Sequence, residues 1–188
     1  MRQRGEKRLA DDIDTAIDAM RRHVDRELAR ARLRGGNSPG TRVTTSLAPL
    51  ARSLVSTLSR TDAGARVDYE ISIDESSTAP LDRTDLAEVM GNLLENATRH
   101  ARTRVRVVAP AAGAAICVED DGIGIAPELR SQALARGVRL DERGGGAGLG
   151  LSIVQDVLEA YGWTLTLESS ELGGLRALCC ATARAEAP

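Results

Sequence analysis

Four polar residues whose side chains suit a metal-phosphate group recur at helical spacing. Glu88, Asn92, Asn96 and Arg99 are separated by four, four and three positions, so on a helix they form one row. Carboxamide oxygens can ligate Mg²⁺ or hold its waters, and a guanidinium can bind a phosphate. A solvated polar face would have the same spacing, so the row alone does not decide between a binding site and an ordinary surface.

The element that carries this row is predicted from its apolar residues. They recur every three or four positions, which predicts a helix over residues 85–101 with one face against a sheet. Asp82 or Thr84 is the expected N-cap. The apolar residues are Leu86, Val89, Met90, Leu93, Leu94 and Ala97.

Two glycine-rich segments follow the row. In Asp120-Asp121-Gly122-Ile123-Gly124-Ile125 the glycines come directly after a predicted strand, where they allow a flat ligand to approach the backbone closely. Residues 144–150 are glycine-rich and open a helix with an apolar stripe from Leu151 to Tyr161. Such a helix start binds anions, because free N–H groups and the positive end of the dipole point at the ligand. A flexible linker is the alternative, but it would not account for the helix.

The remaining pattern predicts an α/β fold with a layered sheet. Strands are expected at 42–46, 67–73, 103–109, 114–119, 163–168 and 175–181, with a helix at 47–58. The strands at 103–109 and 114–119 should form a hairpin. Residues 127–143 are polar and have few apolar anchors, which predicts a mobile lid.

A long N-terminal helix with a heptad-like stripe is predicted over residues 11–34. Glycines and a proline at 35–40 should end it. A single helix cannot bury such a stripe, so a second copy of the chain or another segment must pair with it. We therefore divide the chain into a helix at 1–36, a linker at 37–41 and one domain at 42–188.

Composition excludes several classes of protein. The net charge of -2 gives no basic excess for nucleic acid, and no apolar run is long enough for a membrane span or a signal peptide. The three cysteines show no metal-ligand spacing, and their odd number argues against a disulfide framework. A cytoplasmic setting is expected for this chain, whether or not the parent protein is anchored in a membrane.

Three segments together resemble a known superfamily. Asn92-Leu93-Leu94-Glu95-Asn96-Ala97, the segment 120–125 and Gly146-Ala147-Gly148-Leu149-Gly150-Leu151 resemble, in order and spacing, the N box and two glycine boxes of the Bergerat-fold (GHKL) ATPases. The match is closest to the catalytic ATP-binding domain of sensor histidine kinases, and residues 135–140 resemble the lid of the PhoQ-type kinases. The resemblance implies an α+β two-layer sandwich with a mixed sheet covered by three helices on one face. The N-terminal helix resembles the second helix of the kinase dimerisation bundle.

The resemblance also implies ATP and Mg²⁺ as cofactors and a role for each site residue. Asn96 would ligate Mg²⁺, while Asn92 and Arg99 would support and contact the phosphates as candidate catalytic residues. His100 would lie near the nucleoside, although a solvated histidine at the helix end is the alternative. Asp120 would accept the adenine amino group, and Asp121 would only be a turn residue. The base pocket would include Gly122, Gly124 and Ile125, and the lid and phosphates would be held by Gly146, Gly148, Leu149 and Gly150.

The function implied is transfer of the ATP γ-phosphoryl group to a histidine outside this chain. The phosphoacceptor motif of the family, His-Glu/Asp-x-x-Thr-Pro (the His box), does not occur in this sequence. His23 lacks the acidic residue and the Thr-Pro of that box, so self-phosphorylation by this chain alone is not expected. The implied partners are the phosphoacceptor helix of the parent kinase, a response regulator and a second copy through the N-terminal helix. An ATP hydrolase would need Glu at position 92. An ATP-binding regulator or serine kinase of the anti-sigma-factor type remains the alternative.

Overall fold

The computed structural model describes residues 44–109, 115–135 and 150–182. The predicted N-terminal helix, the boundary at 35–40 and residues 136–149 lie outside these ranges. The helices are α1 (Leu47–Leu58), α2 (Arg83–His100), α3 (Pro127–Ala133) and α4 (Gly150–Ala160), with a short 3-10 helix at Gly64–Arg66. The strands are β1 (Thr45–Ser46), β2 (Asp68–Ile73), β3 (Thr78–Ala79), β4 (Arg104–Ala109), β5 (Ala115–Asp120), β6 (Trp163–Ser169) and β7 (Leu175–Ala181).

Five strands form one mixed sheet in the order β2-β4-β5-β7-β6. β2 and β4 are parallel, and the other neighbours are antiparallel. The consecutive strands β4 and β5 pair directly, as predicted for a hairpin. This order places β5 at the centre, so the loop after β5 lies beside the turn between β6 and β7.

Three helices cover one face of this sheet. α1 packs on β2, α2 packs on β4 and β5, and α4 packs on β6 and against α2. Alternate strand residues point into this layer, which is the period-two pattern that the sequence predicts. The core is aliphatic, and its largest fully buried side chains include Leu81, Leu86, Met90, Leu93, Leu94, Val105, Val107, Ile116 and Leu158.

The boundaries of α2 follow from its sequence. Asp82 is the N-cap, and its carboxylate accepts a hydrogen bond from the backbone N–H of Thr84 at 2.8 Å. The helix therefore begins two residues earlier than the apolar spacing predicts, with the first of the two expected caps confirmed. Ala101 is extended and ends it. All six predicted apolar residues are buried, which leaves the polar row on the opposite face.

Short elements are where the sequence pattern is least complete. β1 and β3 pair as a separate two-stranded sheet. β1 lies within the strand predicted at 42–46, whereas β3 was not predicted, because two residues are too few to show alternation. α3 lies where we expected only a polar lid, and it has apolar anchors, since Ala133 is 9% exposed and Leu134 packs against the core. Seven residues are too few for a helical period to be recognised.

Cys117, Cys179 and Cys180 are free. Burial raises the pKa of the Cys117 thiol to about 11 and that of Cys179 to about 12, so neither is a ready nucleophile. Within the described ranges, no helix combines the length and the hydropathy needed to cross a membrane.

Candidate functional site

The polar row of α2 meets the start of α4. The Asn92 side-chain nitrogen donates to the carbonyl of Glu88 at 2.8 Å, which leaves its Oδ1 facing Gly150. A Cβ built on Gly150 would lie 3.2 Å from that oxygen. The first predicted phosphate residue and the last glycine of the glycine-rich segment therefore contact each other.

The rest of the row extends along α2 towards its C-terminus. Asn96 is half-buried, while Arg99 and His100 are exposed. Within the part of the chain described, no three His, Cys, Asp or Glu side chains converge on a possible metal position. A cation at Asn96 would thus be held by an amide oxygen and by oxygens of the ligand, a donor set that fits Mg²⁺ bound to a triphosphate.

Asp120 ends the central strand and is buried, with 2% of its surface exposed. Its Oδ1 accepts hydrogen bonds from the backbone N–H groups of Gly122 at 2.8 Å and Leu175 at 3.2 Å. Burial raises the pKa of this carboxyl above its ordinary value, and the two hydrogen bonds and His100 oppose the rise only in part. Both bonds that the described residues make to it end on Oδ1, so Oδ2 can accept from an amino group.

The glycines around Asp120 leave no space for a side chain. A Cβ on Gly122 would lie 2.3 Å from the carbonyl oxygen of His100, and one on Gly174 would lie 2.2 Å from Asp120 Oδ1. Gly124 has a positive φ of 67°, and a Cβ there would approach the Gly174 carbonyl oxygen to 3.0 Å. Three backbone segments therefore meet at the carboxylate, and only glycine allows this approach.

The two parts of the site lie at different positions along α2. With a rise of about 1.5 Å per residue, Asn92 lies about 12 Å along the helix axis from His100. His100 contacts Gly122 beside the Asp120 carboxylate, and Asn92 contacts the start of α4. An elongated ligand along this helix would place a base at one end and phosphates at the other.

Asp121 has a larger structural role than the turn residue we expected. Its carboxylate accepts hydrogen bonds from the backbone N–H groups of Arg102, Thr103 and Arg104 and from the Thr103 hydroxyl. Burial raises its pKa, but these bonds outweigh that effect and hold the pKa well below its usual value. Asp121 thus fixes the start of β4.

Several residues that support the site have no local signal in the sequence. Leu175 is predicted only as the first residue of a strand, and nothing local links it or Gly174 to Asp120. The Tyr161 hydroxyl donates to the Asp85 carboxylate, which joins the end of α4 to the start of α2. The predicted Gly146, Gly148 and Leu149 lie outside the described residues.

Comparison with known proteins identifies the family. The sequence profile of the histidine kinase-, DNA gyrase B- and HSP90-like ATPases matches residues 81–184. The chain belongs to this family. Sensor protein kinase CarS of Pseudomonas aeruginosa is 43% identical over 162 residues, which are 85% of this chain and 36% of that protein. The two-component sensor PhoQ of the same organism is 38% identical over 160 residues, covering 84% of this chain and 35% of that protein.

A solved structure agrees with the fold. The catalytic domain of histidine kinase ThkA superposes with a TM-score of 0.63 at 21% identity, covering 73% of this chain and 92% of that chain. The predicted α/β fold with a Bergerat-type sandwich is thus confirmed, as is the resemblance of this ATPase domain to those of sensor histidine kinases. The chain spans about a third of the length of the two curated relatives.

Proposed function

We propose that this chain binds Mg²⁺-ATP and transfers the γ-phosphoryl group to a histidine on a helix outside this chain. The observation that carries the proposal is the buried Asp120 carboxylate, whose Oδ1 is held by two backbone N–H groups. Its free oxygen suits the amino group of adenine. Guanine presents a carbonyl at that position, and the unpaired buried acceptor would cost about 1–3 kcal/mol.

The residues along α2 and at the start of α4 form the phosphate end of the site, and each is assigned by the atoms that it can offer to Mg²⁺ or to a phosphate. Asn96 supplies the protein ligand to Mg²⁺, Asn92 and Gly150 hold the triphosphate, and Arg99 contacts a phosphate oxygen. The resemblance also assigns Gly146, Gly148 and Leu149, which lie outside the described residues, to this end. Gly122, Gly124, Ile125 and His100 line the base and the nucleoside. When bound, Mg²⁺ neutralises charge on the transferring phosphoryl group.

The identity of residue 92 separates transfer from hydrolysis. Hydrolysis needs a general base that activates water, and a missing base lowers the rate by about 10²–10⁴. The Asn92 amide cannot accept a proton at neutral pH, and its nitrogen is bonded to the Glu88 carbonyl. We therefore expect slow ATP turnover by this chain alone and transfer when an acceptor is present.

This assignment also implies roles for the N-terminal residues, a cellular location and partners. Residues 1–36 serve as part of a dimerisation helix and 37–41 as a linker, and the domain at 42–188 acts in the cytoplasm. The partners are the phosphoacceptor helix and a response regulator. The sensor names of the relatives support this role over a serine kinase of the anti-sigma-factor type.

Binding tests the first half of the proposal. A fluorescent ATP analogue should bind the chain with Mg²⁺, lose affinity when EDTA removes the cation, and be displaced by ATP at least tenfold better than by GTP, on the order that an unpaired acceptor predicts. Equal displacement by GTP would show that the Asp120 assignment is wrong.

Labelling tests the second half. The chain is incubated with γ-labelled ATP, alone and with a separately supplied cognate helix that carries a His box. We expect acid-labile label on the added helix and almost none on the chain. Stoichiometric label on the chain alone, lost in His23→Ala, would instead make His23 the acceptor.

A further inference from the structure

Arg130 of α3 joins two loops by hydrogen bonds. Its Nε donates to the carbonyl oxygen of Ile125 at 3.0 Å, and one terminal nitrogen donates to Ser169 Oγ at 2.7 Å. Ile125 lies at the end of the loop that follows β5, and Ser169 is the last residue of β6. The half-buried Arg130 therefore connects the loop at 121–126 to the end of β6, directly before the turn at 170–174.

Both loops surround the Asp120 carboxylate. The first contributes the N–H of Gly122 and the second contributes the N–H of Leu175. They also touch directly, because a Cβ on Gly124 would lie 3.0 Å from the Gly174 carbonyl oxygen. The shape of the pocket thus depends on the distance between the two loops, which Arg130 spans from the side of α3.

We propose that Arg130 is a positioning residue of the base pocket, holding the loop at 121–126 against the turn at 170–174 so that a nucleoside base fits beside Asp120. This inference rests on the proposed binding of ATP at that pocket. Arg130 does not contact the phosphates in this assignment, since two of its nitrogens donate to protein oxygens. Arg130 therefore affects the binding of the base and not that of the triphosphate.

The two hydrogen bonds of Arg130 should depend more on the geometry of its guanidinium than on its charge. Both acceptors are neutral, so the planar fork of the guanidinium and its two directed donors matter more than its positive charge. Lysine keeps the charge but cannot reproduce the fork. A cation that binds phosphate would be replaced by lysine with a smaller loss.

The experiment measures displacement of the fluorescent ATP analogue by adenosine, ATP and inorganic tripolyphosphate. It compares the full chain with Arg130→Lys, Arg130→Gln and Ser169→Ala, the last of which removes one acceptor and leaves the arginine. Arg52→Gln is the matched control, because Arg52 also makes two side-chain hydrogen bonds, to Glu75, on an exposed surface. Thermal unfolding establishes that each variant is folded.

We expect adenosine and ATP to lose affinity by the same factor in both Arg130 variants, about tenfold for one or two lost hydrogen bonds, and about threefold in Ser169→Ala. Tripolyphosphate affinity should stay unchanged, and Arg52→Gln should match the parent. Parent-like adenosine affinity in the Arg130 variants would overturn the inference. The inference would also be overturned if Arg130→Gln lost affinity for both ATP and tripolyphosphate while Arg130→Lys kept it. Failure of the parent chain to bind adenosine or ATP would instead contradict the proposed function itself.

Discussion

The two ends of the candidate site are built differently. The base end is built around Asp120, Gly122 and Gly174, which are all buried, and its two buried glycines would place a Cβ within 2.3 Å of a neighbouring oxygen. Gly124 and Ile125 beside them are half-buried, and His100 is exposed. The phosphate end consists of the polar row of α2 and the start of α4. Asn92, Asn96 and Gly150 there are half-buried and Arg99 is exposed.

This difference matches the chemistry of the two halves of a nucleotide. A base is flat and uncharged, so it is recognised by shape and by one fixed acceptor in a pocket formed before binding. A triphosphate is highly charged and arrives with its cation and water, so side chains that remain hydrated can rearrange around it. We infer that the base end is preorganised and that the phosphate end is completed by the ligand.

The largest effect is expected at Gly174, where the base end has no free space. In Gly174→Ala the new Cβ would lie 2.2 Å from Asp120 Oδ1, 2.4 Å from the Gly122 nitrogen and 2.5 Å from the Asp120 carbonyl oxygen. We expect a loss of about 3 kcal/mol in the free energy of unfolding, near the upper end for overpacking, and no measurable ATP binding. Urea unfolding and displacement of the fluorescent analogue measure the two quantities.

Gly64→Ala is the control for that variant. Its Cβ would meet the Leu58 carbonyl oxygen at 2.0 Å, so it should also destabilise, but Gly64 lies after α1 and outside the site. The folded fraction of Gly64→Ala should bind ATP like the parent. If Gly174→Ala also binds like the parent once folded, the base end is not preorganised.

The next effect is expected at Asn96, at the phosphate end. Asn96→Ala removes the predicted Mg²⁺ ligand from a half-buried position off the apolar face of α2, so stability should change little. Affinity for Mg²⁺-ATP should fall about 10–100-fold, the range for groups that support a bound metal, while affinity for adenosine stays constant. Equal affinity of the variant and the parent for Mg²⁺-ATP would show that the metal site is misassigned.

A smaller effect should appear in the pH dependence of binding. Burial raises the pKa of Asp120, and a protonated carboxyl loses an acceptor for the adenine amino group. Affinity should therefore fall as the pH drops through a value above about 3.9, where an ordinary aspartate titrates. Titration of ATP affinity from neutral to acidic pH measures this, with Asp120→Asn as a weakly binding variant that lacks the dependence.

The same raised pKa has a consequence for stability. The stabilising contribution of Asp120 is complete below its unfolded pKa and is lost as the pH rises through its higher folded pKa. At neutral pH the ionised carboxylate therefore destabilises the fold, and Asp120→Asn should unfold at no lower urea concentration than the parent. Marked destabilisation of Asp120→Asn at neutral pH would contradict this sign.

The sequence predicted the elements that have clear periods. The α2 stripe from Leu86 to Ala97 and the alternation of Tyr69, Ile71 and Ile73 in β2 are local patterns, because burial of one face imposes them within a few residues. α1 was predicted with its exact ends at Leu47 and Leu58. The Asp82 cap was predicted as one of two choices, since both residues can accept a hydrogen bond from the first turn.

Contacts between distant segments were not predictable in this way. Leu175 donates to Asp120 across 55 positions, and Arg130 donates to Ser169 across 39. A single sequence contains no periodicity that links such pairs, since they depend on the strand order β5-β7-β6. The residues of the boxes were therefore found by their types, whereas the residues that position them became visible only in the folded chain.

The smallest effect is expected at Gly91. This variant tests whether the phosphate end stays as open with bound nucleotide as it is in the free protein. Gly91 lies within α2 beside Asn92, and a Cβ built there meets no atom of the described residues within 4 Å. Alanine should stabilise the helix by up to about 1 kcal/mol, the difference in helix propensity between the two residues. ATP affinity should stay unchanged if nothing closes over this position when the nucleotide binds. A stabilised Gly91→Ala that binds ATP more weakly would mean that the bound state packs the phosphate end as tightly as the base end, and the contrast between the two ends would then hold only for the free protein. Urea unfolding with and without saturating ATP separates these outcomes, because the added stability should be the same in both conditions only if the position remains open.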